Sequence, residues 1–196
     1  GSADLAGSRT AAAMHVAEVL GISAEDVHPS VGDTDSIGYT AISAGSSAVY
    51  KTGWASFEAA RDLLSQLAAR AALVWDVPVE EVDITDGVFI HRSNPEQQLT
   101  LKEIAVRQNV TGGPLIGRAG GAWGGESPGF AVHIVDVQVD PETGKTDIGR
   151  YTALQDPGTA VHPTYVEGQI QGGTAQGIGW ALNEEYVTDD LSLIHI

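Results

Sequence analysis

F-A-V-H-I-V-D-V-Q-V-D-P-E-T-G-K-T-D-I-G-R-Y-T-A-L, residues 130–154, holds two apolar runs around a polar hexapeptide. The runs 130–139 and 146–154 have strand length. D-P-E-T-G-K (140–145) between them has turn chemistry, with Gly144 placed for a positive φ. The stretch therefore reads as an antiparallel hairpin. D-P-G at 156–158 breaks the second strand, residues 165–182 read as a helix interrupted by glycines, and 185–187 as a further short strand.

Upstream, residues 11–20 have helical character and Gly21 stops them, with a short strand expected around Val27 and Val31. Asp33, Thr34 and Asp35 end that strand as a turn. A Gly/Ser-rich stretch to Ser47 then opens a long helix, in which Val49, Phe57, Ala60, Leu64, Leu67 and Ala71 recur at three- and four-residue steps. Residues 82–84 and 88–90 are strand candidates, and 100–108 a helix opened by a capping hydroxyl. Residues 111–129, with eight glycines and two prolines, cannot be regular throughout and read as a connection. The expectation is an α+β fold, helices packed on mixed β-sheets in two lobes: 1–110, then 130–190 beyond the 111–129 connection.

The helix in the second lobe is the most informative element. V-E-G-Q-I-Q-G-G-T-A-Q-G-I-G-W-A-L (166–182) places Gly168, Gly172, Gly173, Gly177 and Gly179 where alanine is the better helix former. At roughly 1 kcal/mol each, these glycines cost the helix about 4–5 kcal/mol, a large part of a domain's net stability. Close approach of a ligand or of another backbone would offset that, with Gln169, Gln171 and Gln176 supplying amide donors and acceptors. Tight packing with the glutamines in solvent is the other reading. A second candidate is S-A-G-S-S (43–47) at the start of the long helix, where unpaired N–H groups and the helix dipole suit an anion, or where serine simply caps.

Other signals fail. G-K-T at 144–146 lacks the upstream glycine of a phosphate loop, because Val139 stands there; G-I-G at 177–179 lacks the third glycine of a dinucleotide fingerprint, because Leu182 does. The six histidines show no metal-ligand spacing, and no protein-held metal site is expected. A net charge of −16 opposes nucleic acid and anionic membrane as partners. The absence of cysteine excludes disulfides, thiolate zinc and iron–sulfur ligation by these residues. Without an apolar run of spanning length or a leader pattern, the expected location is soluble and cytoplasmic.

Taken in order, V-G-D-T-D (31–35), A-G-S-S (44–47), G-W-A-S-F-E-A-A (53–60), V-D-P-E-T-G-K (139–145), Q-D-P-G (155–158) and E-G-Q-I-Q-G-G-T-A-Q-G-I-G-W-A-L-N-E-E (167–185) resemble the molybdopterin-binding large subunit of the xanthine dehydrogenase/aldehyde oxidase family. The resemblance implies a molybdenum–pterin cofactor, the cytosine dinucleotide being one candidate form, held through its dithiolene and contacted by Gly45, Ser46, Ser47, Ala48 and Gln169. It implies FAD and 2Fe-2S centres on partner subunits or domains. The substrate would be a small N-heterocycle or aldehyde, hydroxylated with water-derived oxygen as hydride passes to molybdenum. The family's general base is a glutamate well downstream of the E-G-Q helix, so no residue up to Ile196 takes that role and the stretch reads as an internal, catalytically incomplete fragment. Ser47 stands where arginine is common, His162 where asparagine is usual, and the first loop (4–10) is one residue short. Residues 191–196, L-S-L-I-H-I, resemble translated adapter sequence and are expected to be an artefactual tail. A non-catalytic interaction module, using the glycine helix to pack against another subunit, is the competing reading.

Overall fold

Residues 7–31, 33, 35, 47–121, 128–188 and 193–195 are described in the computed structural model, and the chain divides into two units, Gly1–Gly124 and Gly125–Ile196. Unit 1 contains α1 (Ser8–Leu20), α2 (Ala48–Trp75), β1 (Val82–Thr85), β2 (Val88–His91), β3 (Gln98–Thr100), α3 (Leu101–Val106) and α4 (Gln108–Thr111). Alanines let α1 and α2 approach closely: Ala11, Ala13 and Ala17 of α1 and Ala60, Ala68, Ala71 and Ala72 of α2 are buried. At their crossing a Cβ on Gly53 would lie 2.8 Å from the ring of His15, whose Nδ1–H donates to the Ala11 carbonyl at 2.6 Å.

The core of unit 1 joins Leu20, Leu67, Ala71, Val82, Phe89, Leu99 and Ile104, with Phe89 completely enclosed. Burying a side chain of that size stabilises the fold by about 1.5–3 kcal/mol. β1 and β2 are joined by Asp86-Gly87 at φ 48° and 72°, the twist a two-residue hairpin loop requires. Gly87 in turn meets Gly21, the left-handed cap of α1, so that a Cβ on either would strike the other's backbone. α3 opens with a reciprocal capping box: Glu103 N–H donates to Thr100 Oγ1 at 3.2 Å, and Thr100 N–H to Glu103 Oε2 at 2.8 Å. These bonds from Thr100 hold the Glu103 carboxyl below its ordinary pKa.

The glycine-rich segment after α4 does not hang free. Gln66 Nε2 donates to the Ile116 carbonyl at 3.0 Å, Arg118 N–H to Asp62 Oδ2 at 2.9 Å, and a Cβ on Gly117 would collide with the Ala59 carbonyl. Up to Gly121 it is a strap along α2.

Unit 2 contains β4 (Phe130–Val139), β5 (Thr146–Asp156), α5 (Pro163–Leu182), β6 (Val187–Thr188) and β7 (Leu193–His195). β4 and β5 form the hairpin, with a register shift between Asp136 and Val137. Asp140 organises the turn: its carboxylate accepts from Glu142 N–H at 2.9 Å and from the Thr143 hydroxyl at 2.7 Å, and Gly144 takes φ 73°. Those donors, Thr143 first, hold the Asp140 carboxyl below its ordinary pKa. Asp156 Oδ1 likewise accepts from Gly158 N–H at 3.0 Å where the strand breaks.

Helices with separate sheets make the fold α+β, but every strand pair among the described residues is antiparallel rather than mixed. The connections within each sheet are short, and a parallel pair needs a crossover of a dozen residues or more. The strand expected around Val27 and Val31 is also not formed. Ala24–Asp26 make a 3-10 turn capped by Ser23, and Pro29, with no N–H to donate, leaves the following residues irregular. Asp33 does turn the chain, its Oδ1 accepting from Asp35 N–H at 3.1 Å.

Candidate cofactor-binding surfaces

In unit 1, Gly45 and Ser46 lie outside the described residues, while Ser47 and Ala48 form the cap and first residue of α2. Ser47 takes φ −97° and ψ 0°, its carbonyl accepts from Lys51 N–H at 2.9 Å, and its hydroxyl makes no capping bond to the first turn. The first turn itself contains no acidic side chain, and its N–H groups stand at the positive end of the helix dipole.

In unit 2, α5 starts at Pro163, whose missing N–H suits a first helical position. His162 caps the helix: Nδ1 accepts from Tyr165 N–H at 3.4 Å while the two rings stack with centroids 3.9 Å apart. Val166, Ile170, Thr174 and Ile178, four residues apart, are half-buried and form the packed side of the helix. On that side the Thr174 hydroxyl oxygen is buried with no hydrogen-bond partner among the described residues.

The side that carries the glycines is largely backbone, with exposed Tyr165 and Trp180 near its two ends. With 3.6 residues per turn, all the glycines of α5 fall within one half of its circumference, and Gln169 and Gln176, two turns apart, run along the middle of that half. Gln169 and Gln176 are exposed, and a Cβ added at Gly168, Gly172, Gly173 or Gly177 would meet nothing within 4 Å. Gly179 differs, being closed over by the Glu184 side chain. Gln171 points to the other flank, so two of the three glutamines singled out in the sequence share the glycine face. Gln176 is not among the positions that the family resemblance implies as cofactor contacts, but its seven-residue spacing puts it on the same face as Gln169. Among the described residues nothing packs against Gly168, Gly172, Gly173 or Gly177. The helix gives up stability to present an open backbone strip flanked by carboxamides, a surface on which a planar, polar ligand can lie close and exchange hydrogen bonds.

Among the described residues no three His, Asp or Glu side chains gather as a metal site. What these surfaces offer is backbone N–H, hydroxyl and amide, the donor set for a large organic group with an anionic end.

The model for the molybdopterin cofactor-binding domain matches residues 2–194. The chain belongs to this family. As a molybdopterin cofactor-binding domain it is 30% identical over 192 residues to the nicotine 6-hydroxylase large subunit of Paenarthrobacter nicotinovorans, an alignment covering 94% of this chain and 24% of that protein. It is also 30% identical over 188 residues to a putative xanthine dehydrogenase molybdenum-binding subunit of Escherichia coli K12, covering 93% of this chain and 25% of the relative. Among solved structures, a Cu,Mo-CO dehydrogenase superposes with a TM-score of 0.77 at 27% identity, over 95% of this chain and 24% of that one. Quinoline 2-oxidoreductase from Pseudomonas putida 86 superposes with 0.76 at 28%, over 98% and 26%. The domain thus spans about a quarter of the length of these relatives. Among the described residues no helix is long and apolar enough to cross a membrane.

Proposed function

We propose that this domain holds the molybdenum–pterin cofactor of a hydroxylase that acts on N-heterocycles or aldehydes. The observation that carries the reading is the glycine face of α5, where Gln169 and Gln176 stand beside backbone that no described residue covers. A methyl group at any of four positions would fill that strip, and the residues present fit a flat, polar group laid against it. Gln169 and Gln176 donate and accept at the pterin edge; Gly45, Ser46, Ser47 and Ala48, at the N-terminal end of α2, serve an anionic end such as a phosphate. Whether that end is a cytosine dinucleotide is read from the nucleotide released on denaturation. When bound, the group supplies the two-electron chemistry that places a water-derived oxygen on a carbon next to nitrogen or oxygen.

The chain's own residues bind and orient; the general base we assign to polypeptide outside residues 1–196. FAD and 2Fe-2S partners carry electrons away, since the chain has no cysteine to hold a cluster, and the assembly is placed in the cytoplasm.

The test is cofactor content. Gln169→Ala and Gln176→Ala, made in the complete subunit, are expected to lower bound molybdenum and fluorescent pterin per polypeptide together, with the circular dichroism spectrum unchanged. Full cofactor occupancy in both variants would sink the reading and leave the glycine face as a packing surface for another subunit.

A further inference from the structure

The β4–β5 register puts Phe130, Val132 and Ile134 on one side of the hairpin, with Leu154 directly opposite Val132. These side chains are 69%, 57%, 53% and 52% exposed. The other side carries the partly covered Thr146, Ile148, Tyr151 and Ala153. An antiparallel pair with one wet face alternates apolar and polar residues; one apolar on both sides is built to be covered on both. The exposed patch has charges only at its ends. Asp156 lies opposite Phe130, and beyond Ile134 comes the Asp136–Arg150 pair, with Arg150 Nε and Asp136 Oδ2 3.6 Å apart.

Its composition indicates what covers it. Phe130, Val132, Ile134 and Leu154, with Thr152 opposite Ile134 between the charged ends and without Tyr or Trp, resemble a domain core cut open rather than a surface that partners visit and leave. A second copy is disfavoured by charge, because each chain carries −16. The relatives, meanwhile, are about four times as long as this chain, which covers 24–25% of the first two. We propose that this face packs, in the complete subunit, against an aliphatic-faced segment of the same polypeptide outside residues 1–196.

Val132→Thr with Ile134→Thr keeps β-propensity and shape while placing two hydroxyls on the face. In the 196-residue chain the pair is expected to leave the urea midpoint unchanged and to reduce binding of a hydrophobic dye. In the complete subunit, desolvating two hydroxyls without partners is expected to raise protease cleavage at this hairpin at least about tenfold. Three outcomes overturn the proposal: no effect in either form, which means that nothing covers the face; a lowered midpoint in the chain alone, which places the cover within residues 1–196; or a concentration-dependent dimer of the chain that the substitutions dissolve. Molybdenum content of the unsubstituted subunit reports separately on the cofactor reading, so one can fail without the other.

Discussion

Replacing Gly168, Gly172, Gly173 and Gly177 of α5 with alanine is expected to act in opposite directions on stability and on cofactor binding. All four lie inside the helix (Pro163–Leu182), none has a positive φ, and a Cβ at each would meet nothing within 4 Å. The helix should therefore gain the full propensity difference of about 0.8–1 kcal/mol per site, roughly 3–4 kcal/mol for the set, part of it through the unfolded chain's lost freedom. One kcal/mol is a factor of about 5 in the folding equilibrium, so each single variant is measurable. Urea denaturation of the 196-residue chain, followed at 222 nm, should show the midpoint of unit 2 rising stepwise with each alanine. The same four methyl groups occupy the strip on which the cofactor is proposed to lie, so molybdenum and pterin content of the complete subunit should fall with the same substitutions. A falling midpoint in the chain would show that the glycines already touch something within it. A rising midpoint with cofactor content intact would show that the exposed strip serves another purpose. Only gain and loss together support the argument that stability has been given up for binding.

Three further outcomes follow from the same structure. Phe89→Ala removes the largest fully enclosed side chain of unit 1 and should destabilise that unit by about 3–5 kcal/mol, measured by denaturant unfolding; a loss under about 1 kcal/mol would mean that Phe89 is not at the centre of the core. Thr174→Val deletes a buried hydroxyl that has no partner among the described residues while preserving shape, and unit 2 should gain about 1 kcal/mol, whereas a loss would reveal a hydrogen bond to that oxygen. Asp140 is lowered in pKa by the Thr143 hydroxyl and the Glu142 N–H, so its contribution to the hairpin is complete above the unfolded value of about 3.9 and disappears as pH falls through the lower folded value. Carbon-13 titration of its carboxyl should show a midpoint below 3.9, and one at or above it would remove the turn's proposed anchor.

Much of the fold could be read from local chemistry, because local chemistry is what determined it. The D-P-E-T-G-K turn, the left-handed stop at Gly21 and the Thr100 cap each follow from bonds made within a few residues. The Asp86-Gly87 turn was equally available and joins the short strands β1 and β2. The strand around Val27 was not, since a strand exists only by pairing and apolar content cannot report whether a neighbour is there. The strap of residues 112–121 illustrates the same limit: eight glycines and two prolines in 111–129 predict irregular backbone, yet its attachment to Asp62, Gln66 and Ala59 depends on side chains some fifty positions away in the chain.

For the candidate surfaces, the ordered motifs point to the molybdopterin-binding family without any coordinates, and glycines in a helix announce an unusual demand on the backbone because their cost is local. That Gln176 joins Gln169 while Gln171 turns away follows from helical spacing, but that no described residue fills the space beside four of the glycines was decided by tertiary structure alone. Helical phase follows from the residue spacing, but which phase faces the hairpin and which faces outward depends on what the rest of unit 2 buries.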